Sequence, residues 1–302
     1  MTPAAMALIV LSAFMHAGWN LLTKKTHPSA SFFLVTSLVG ALMFLPFVIP
    51  HAGLLAALPA RVWVFLLATG LFMAVYYAAL AGAYRSGDLS VAYPLARSSP
   101  VIVVFIVAVL LGRRAQVSAA CMLGIVLVVG GCFLVPMRRF SEAHLRNYLN
   151  WTCVLALLAA LGTSGYSILD DEALRVLRHM PELGLGTTRT TLLYVGLENM
   201  VTSVWLAIYV GARREGRASL RQVLRANARH AVLAGVAIHV GYALVLISLA
   251  FARNVSYVVA FRQLSILLGT GLGIVALKEP AYRPKLVGVT IMFAGLVLVA
   301  IG

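Results

Sequence analysis

Long apolar runs separated by short polar or charged stretches occupy the chain from end to end. A helix that crosses the hydrocarbon core of a bilayer needs about 20 apolar residues, and ten runs approach or exceed that length. The pattern predicts ten transmembrane helices, at 4–23, 30–49, 61–84, 89–111, 118–136, 151–169, 188–211, 231–251, 255–277 and 285–302. Longer polar connections occur at 137–150, 170–187 and 212–230. The sequence therefore predicts an all-α integral membrane protein without a separate soluble domain.

The composition also indicates a membrane protein. Of the 302 residues, 62% are hydrophobic and 11% are charged, and the mean hydropathy is +0.96, whereas a soluble domain carries about 25% charged residues. The 24 Lys and Arg residues outnumber the 9 Asp and Glu residues, which gives a net charge of +15. Because nearly all of these cations lie in the connections, we expect the lipid bilayer, and not a nucleic acid, as the partner.

The distribution of cations between alternate loops predicts an orientation. Loops after the odd-numbered segments contain 15 Lys and Arg residues, whereas the other side, which includes both termini, contains 7. Cytoplasmic loops carry the excess of positive charge. Both termini are therefore predicted to lie outside, and the basic stretch 212–230 is predicted to lie in the cytoplasm beside anionic lipid headgroups.

Several kinds of chemistry have no signature in the sequence. Cys121, Cys132 and Cys153 have neither metal-ligand spacing nor a convincing pairing, so they are interpreted as small core residues. No GxxxxGK[ST] segment occurs, and no loop has room for an ATPase domain. We expect no metal, no cofactor and no nucleotide-driven step.

The two halves of the chain resemble each other. In the fourth predicted helix Val91-Ala92-Tyr93 precedes Arg97, and in the ninth Val255-Ser256-Tyr257 precedes Arg262. Glycines also recur at an offset of 164 residues, in the pairs Gly124/Gly288 and Gly131/Gly295. Such small residues permit close helix approach, either within one chain or between two copies, so the chain is expected to be a monomer or a weak homodimer.

Five helices per half is an odd number, so the second half must begin on the opposite side of the membrane from the first. The sequence predicts two inverted five-helix repeats, 1–136 and 151–302, joined by the connection 137–150. Inverted repeats are typical of transporters that work by alternating access around a site near the middle of the membrane. Pro94 and Pro100, which flank Arg97, favour a break in the fourth helix at that depth.

Three charged residues lie well inside predicted spans, where a charge costs about 3 kcal/mol on insertion scales. Arg97 and Arg262 occupy matching positions, and two guanidinium groups would bind a carboxylate or phosphate strongly. Alternatively, each caps a helix, pairs internally or extends to the headgroups. Glu198 has three interpretations: a structural partner for an arginine, a site for a substrate amine, or a proton-exchanging group.

Aromatic and polar side chains complete the predicted substrate-binding set. These are His16, Trp19, Asn20, Tyr77, Tyr93, His239 and Tyr242. Trp19 and Asn20 share a helix face with His16, and Tyr242 lies three residues after His239, so each group forms a stripe suited to a cavity wall. Helix packing is the alternative for these residues, since aromatic side chains in membrane helices also serve as packing and interface anchors.

Four segments together resemble a known family. They are His16–Lys24, Gly87–Arg97, Arg262–Ser265 and Leu277–Glu279. In this order and spacing they are similar to the EamA-type members of the drug/metabolite transporter superfamily, and the resemblance extends over essentially the whole chain. It implies a ten-helix carrier of the bacterial inner membrane, commonly an exporter of amino acids or other small metabolites. It also implies a central cavity lined by the first, third, fourth, sixth, eighth and ninth helices.

The sequence departs from the family in two respects. Family members often have an acid after the glycine that ends the fourth helix, whereas Gly112 is followed here by Arg113 and Arg114; Glu279 retains the acid in the second half. The termini of family members usually lie in the cytoplasm, whereas the distribution of Lys and Arg between the loops predicts both termini outside.

The leading hypothesis is thus a secondary transporter for a small organic solute, such as an amino acid or another organic anion. The alternative is an intramembrane enzyme that acts on a lipid-linked or apolar substrate. An enzyme requires a converging nucleophile and base or a metal cluster, and neither pattern is found in the sequence. We therefore expect no enzymatic activity.

Overall fold

The computed structural model describes residues 3–26, 28–100, 102–103, 106, 118–141, 148–180, 183–250 and 263–301. Every regular element in these ranges is helical. The α-helices are α1 (Pro3–Lys25), α2 (Ala30–Val48), α3 (Ala60–Ser86), α4 (Leu89–Ser98), α5 (Ala119–Leu134), α6 (Trp151–Arg178), α7 (Thr187–Gly211), α8 (Arg214–Gln222), α9 (Ala228–Ala250), α10 (Leu264–Ala276) and α11 (Arg283–Ile301). A 3-10 helix, Ile49–Ala57, follows α2, and a π-helical turn, Val223–Asn227, joins α8 to α9.

Seven of the described segments are long and apolar enough to cross a membrane. They are Met6–Lys25, Ala30–Ala57, Ala60–Ser86, Trp151–Arg178, Thr188–Gly211, Arg214–Val245 and Arg283–Ile301. The apolar helices α5 and α10 are shorter. The all-helical, multi-pass membrane character is therefore confirmed, whereas ten spans in two inverted repeats with boundaries at 1–136, 137–150 and 151–302 stay a prediction.

Two predicted connections are partly helical. The sixth predicted span, 151–169, ends too early, because α6 continues to Arg178. The polar stretch predicted at 212–230 contains α8, the π-helical turn and the start of α9. A hydropathy pattern overlooks a polar helix, yet Arg, Ala, Leu and Gln, which fill this stretch, are good helix formers.

The predicted break in the fourth helix is present, but it lies at one of the two prolines. Pro94 lies inside α4, which ends at Ser98, two residues before Pro100. Pro100 has no N–H to donate to the carbonyl of Ala96, so the regular hydrogen bonding cannot continue through it. The remainder of the predicted span to residue 111 is mostly outside the described residues, as is 255–262 of the ninth predicted span.

The chain divides into two compact units, each built from segments distant in sequence. The first unit contains Met1–Pro28, Ala79–Ala160 and Ala237–Gly302, and the second contains Ser29–Ala78 and Leu161–Val236. In the first unit α4 packs against α10 and α1, and α5 packs against α11. In the second unit α2 packs against α7, and an apolar core forms around Val62, Leu66, Ala173, Leu177 and Tyr194.

Glycines bring α5 and α11 of the first unit into backbone contact. A methyl group added at Gly124 would lie 2.6 Å from the carbonyl oxygen of Gly295, and one added at Gly288 would lie 2.9 Å from that of Gly131. Any side chain at these positions would therefore push the two backbones apart. The four predicted glycines therefore pack within one chain, with Gly124 against Gly295 and Gly131 against Gly288, and we name this contact the glycine seam.

Candidate functional site

Polar residues of α1 meet α9 in the first unit. The Ser12 hydroxyl donates a hydrogen bond of 2.7 Å to the carbonyl of Gly241, and His16 Nδ1 lies 2.9 Å from the carbonyl of Ser12. A methyl group at Gly241 would lie 3.2 Å from His16 Nδ1, so α9 lies directly against this histidine. His239, which is buried, and Tyr242 flank that glycine. The structure therefore brings His16 to the α9 segment that carries two other predicted residues.

Asn20 has hydrogen-bond partners within the protein. Its side-chain amide donates to the carbonyl of His16 at 2.6 Å, and its side-chain oxygen accepts from the Tyr84 hydroxyl. One turn further along α1, the Lys24 ammonium donates to the carbonyls of Tyr84 and, at 2.6 Å, Gly87. Because the last carbonyls of a helix have no partner within it, Lys24 caps α3. The His16–Lys24 segment thus attaches α1 to the end of α3.

The N-terminus of α4 is held by an acid from the other end of the chain. The Glu279 carboxylate accepts hydrogen bonds from the backbone amides of Leu89 at 2.6 Å and Ser90 at 2.8 Å. These amides belong to the first turn of the helix, where they have no helical acceptor and where the helix dipole favours a negative charge. The family-like acid at Glu279 therefore acts as an N-terminal cap for α4.

A buried lysine completes this arrangement. Lys285 is 1% exposed, and its ammonium donates to Ser90 Oγ at 2.8 Å, the Pro280 carbonyl at 2.9 Å and Asp88 Oδ2 at 3.4 Å. Buried charges require such partners. We name Asp88, Leu89, Ser90, Glu279 and Lys285 the α4 anchor. Segments that carry the family resemblance thus meet at one helix end in the first unit.

Helices α4 and α10 run antiparallel and touch closely. A methyl group at Gly273 would lie 3.0 Å from the backbone nitrogen of Ser90, and one at Gly269 would collide with the ring of Tyr93. One further turn along both helices brings Arg97 to the level of Ser265. The spacing therefore places Arg97 at the same level along the helix pair as a hydroxyl that was not among the predicted site residues.

Polar atoms on these two helices are buried without a hydrogen-bond partner among the described residues. They are Arg97 Nε, Ser98 Oγ, Gln263 Oε1, Ser265 Oγ and Thr270 Oγ1. Buried polar atoms without partners are rare, and each calls for an explanation. Trp19 and Tyr93, also predicted for this site, are buried in the same unit. Arg262 lies outside the described residues.

In the second unit Tyr77 belongs to an aromatic cluster. It is buried and stacks on Phe33 with ring centroids 4.5 Å apart. Its neighbour Tyr76 lies 5.0 Å from it by ring centroids and contacts Tyr166 edge-on at 6.0 Å. Tyr77 therefore contributes to packing.

The second unit also contains an acid that the sequence analysis missed. Asp170 Oδ1 accepts hydrogen bonds from Tyr194 at 2.7 Å and from Thr69 at 2.9 Å, and the carboxylate interacts electrostatically with Glu198. Glu198 is therefore not the only acid within a span. The sequence signal for a helix that continues past the predicted boundary was apolar Ala173, three residues after Asp170, and Ala173 is buried in the structure.

A separate apolar cavity of about 270 Å³ lies in the first unit. Ser99, Cys132, Tyr148 and Cys153 are among its lining residues, and none of the predicted substrate-binding residues lines it. The three cysteines are free thiols. Within the described part of the chain, no group of three or more His, Cys, Asp or Glu side chains is arranged to hold a metal ion.

One solved structure and one sequence-family model are similar to this chain. A solved crystal structure aligns with a TM-score of 0.56 at 17% sequence identity, over 99% of this chain and 96% of the other, and this similarity concerns the fold alone. No curated protein sequence matches the chain. The sequence model of the EamA-like transporter family matches residues 3–137. This match confirms the resemblance of the sequence to EamA-type transporters.

Proposed function

We propose that the protein is a secondary transporter that exports small organic solutes, with alternating access around a polar cavity. The family match over residues 3–137 and the seven apolar segments support transport through a membrane. The EamA-like family is a transporter family, and no chemical reaction is proposed. The observation that carries the solute class is Arg97, a cation on α4 whose Nε is buried without a hydrogen-bond partner among the described residues.

The α4–α10 contact favours a carboxylate as the solute group. Arg97 presents a planar fork of donors that matches a carboxylate, and Ser265 adds a buried hydroxyl at the same level. A carboxylate accepts hydrogen bonds only, so it satisfies a guanidinium and a hydroxyl together. Amino acids and small organic acids carry this group and are the proposed solutes.

Reconstituted transport tests this proposal. Proteoliposomes with the purified protein would be assayed for counterflow of a panel of labelled L-amino acids and small carboxylic acids. A charge-assisted hydrogen bond contributes about 1.5–3 kcal/mol. Arg97→Ala is therefore expected to raise the solute concentration for half-maximal counterflow by roughly tenfold to a hundredfold. Arg97→Lys retains the charge but loses the planar fork of donors. Its half-saturation concentration is expected to lie between those of the wild type and Arg97→Ala.

Arg85→Ala is the matched control. Arg85 is exposed near the end of α3, and it donates to the carbonyl of Pro28 at 2.9 Å. Its replacement removes a cation from the same unit and is expected to leave counterflow within about twofold. Normal counterflow in both Arg97→Ala and Arg262→Ala, with intact membrane insertion, would eliminate the proposed anion role. Chemical conversion of a solute without flux would favour the enzyme alternative.

We further propose that the remaining predicted residues contact the solute during transport and that the protein resides in a bacterial inner membrane. Those residues are His16, Trp19, Asn20, Tyr77, Tyr93, Glu198, His239 and Tyr242. The loop charges support an outside location for both termini. A C-terminal reporter that is active only in the periplasm is the expected result, and fluorescence from a reporter that matures in the cytoplasm would overturn this orientation.

A further inference from the structure

Asp170 lies in a setting that favours a negative charge. The two hydroxyls that donate to its Oδ1 come from different helices, Thr69 of α3 and Tyr194 of α7, and both residues are buried. Hydrogen bonds donated to a carboxylate stabilise its ionised form. Its neighbour Asp171 is exposed, so these contacts distinguish the two adjacent acids.

Glu198 lies in the opposite setting. It follows Tyr194 by one helical turn and interacts electrostatically with Asp170. Within the described ranges, no hydrogen bond or salt bridge connects the Glu198 side chain to another residue. An ionised Glu198 would therefore face a second carboxylate without donors of its own, and like charges at close range within a membrane helix bundle are strongly unfavourable.

Among the described residues, no ion pair provides the two acids with a compensating charge. Two tyrosines interact electrostatically with Glu198: Tyr77 of α3 and Tyr194 of α7, which also interacts with Asp170. Tyr166 of α6 interacts in turn with Tyr77. Helix α2, which packs against α7, has no titratable residue. Helix α8, which also packs against α7, has four titratable residues, all of them exposed: Arg214, Glu215, Arg217 and Arg221. None of the described lysines, arginines or histidines forms an ion pair with either acid.

One further hydroxyl lies at the pair without a partner. Thr202 follows Glu198 by one turn, is 0% exposed, and its Oγ1 has no hydrogen-bond partner among the described residues. A methyl group at Gly70 would lie 3.1 Å from the backbone nitrogen of Thr202, so this residue packs against the α3 segment that carries Thr69. A protonated carboxyl at Glu198 has an O–H to donate, and the Thr202 hydroxyl is a matching acceptor.

We propose that Asp170 and Glu198 form a proton-binding pair in which Asp170 is ionised and Glu198 carries one exchangeable proton. Loss of that proton leaves two adjacent carboxylates, and uptake restores a single negative charge. The change of one charge inside the second unit biases the conformations between which a transporter alternates. Solute export in exchange for protons follows, and this consequence rests on the proposed transport function.

Infrared spectroscopy tests the pair without any solute. The full-length protein in lipid nanodiscs would be titrated across neutral pH, and the carbonyl stretch of a protonated carboxyl group would be recorded. The chain has only 9 acidic side chains, and exposed acids are ionised at neutral pH. We expect a protonated carboxyl band at pH 7 that disappears in Glu198→Gln, returns in Glu198→Asp and persists in the adjacent control Asp171→Asn.

Three results would overturn the proposal. The first is a wild-type spectrum without this band at pH 7, which requires no variant to fold. The second is a band that survives in Glu198→Gln. The third is loss of the band on addition of sodium or tetramethylammonium chloride at constant pH, because the pair would then hold a cation in place of a proton.

Flux measurements test the consequence separately. In proteoliposomes, a proton gradient that drives protons in the direction opposite to solute movement is expected to accelerate flux of the transported panel solute. The ratio of flux with the gradient to flux without it is expected to fall to one in Glu198→Gln and to stay at the wild-type value in Asp171→Asn. Absence of flux in the wild-type protein would refute the transport function, whereas an unchanged ratio in Glu198→Gln would refute the coupling alone.

Discussion

Replacement of Glu279 by Gln is expected to loosen the N-terminus of α4. The carboxylate accepts from two backbone amides, those of Leu89 and Ser90, and the side chain is about nine-tenths buried. A glutamine has the same shape but one oxygen instead of two. Its NH₂ group would face a backbone N–H, so one amide would lose its acceptor while it remains buried.

The size of the effect follows from this geometry. A hydrogen bond to a charged group contributes about 1.5–3 kcal/mol, and a negative charge at a helix N-terminus contributes about 0.3–1 kcal/mol more. We therefore expect Glu279→Gln to lower the free energy of unfolding by about 2–4 kcal/mol. For larger chains each kcal/mol corresponds to roughly 2 °C in thermal midpoint, so the midpoint is expected to fall by at least about 4 °C.

Thermal denaturation of the purified protein in detergent is the assay, and Glu215→Gln is the matched control. Glu215 also lies in the first turn of a helix, α8, but it is exposed. The same change there is expected to shift the midpoint by about 1 °C or less, because water screens the dipole and replaces lost contacts. If the two variants melt at the same temperature, burial of the cap is not what stabilises α4, and the reasoning is refuted.

Three further predictions concern a buried charge, helix packing and backbone strain, and thermal denaturation in detergent tests each of them. Lys285→Met leaves the partners of a buried ammonium unsatisfied and is expected to cost about 3–5 kcal/mol; a midpoint equal to wild type would contradict this. Gly124→Ala places a methyl group 2.6 Å from the Gly295 carbonyl and is expected to lower the free energy of unfolding by about 1–3 kcal/mol. A methyl group at Gly130 would have nothing within 4 Å, so the control Gly130→Ala is expected to leave the thermal midpoint unchanged. Lys278 has a left-handed φ of 57°, which glycine adopts without strain, so Lys278→Gly is expected to raise the free energy of unfolding by about 1 kcal/mol. A lower thermal midpoint in this variant would argue against backbone strain at this position.

Hydropathy located most apolar helices well because the bilayer imposes both length and composition on a span. The predicted 61–84 and 188–211, for example, correspond to Ala60–Ser86 and Thr187–Gly211. Hydropathy does not reveal where a helix ends when that helix continues into polar sequence. Three acids in a row, Asp170, Asp171 and Glu172, resemble a connection, although α6 continues through them to Arg178.

The candidate site was predicted in part because residue type alone reveals an unusual charge but not its partner. Arg97 and Glu198 were identifiable as charges inside apolar runs. The partner of Glu198 is Asp170, 28 residues earlier in the sequence. Glu279 was recognised only as a family-like acid, and its partners at Leu89 and Ser90 lie about 190 residues away in sequence. Such pairs are created by tertiary folding and leave no periodic signal in a single sequence.

The glycine seam bears on the order in which the first unit is assembled. Helix α5 is synthesised about 150 residues before α11, the helix against which Gly124 and Gly131 pack. During that interval its small-residue face has no backbone to contact and is covered by lipid or by another helix. Since segments fold in the order of synthesis, the α5 surface must remain available until the last helix is inserted. A ribosome-bound intermediate without α11 is therefore the stage at which this protein is most exposed to pairing with the wrong helix.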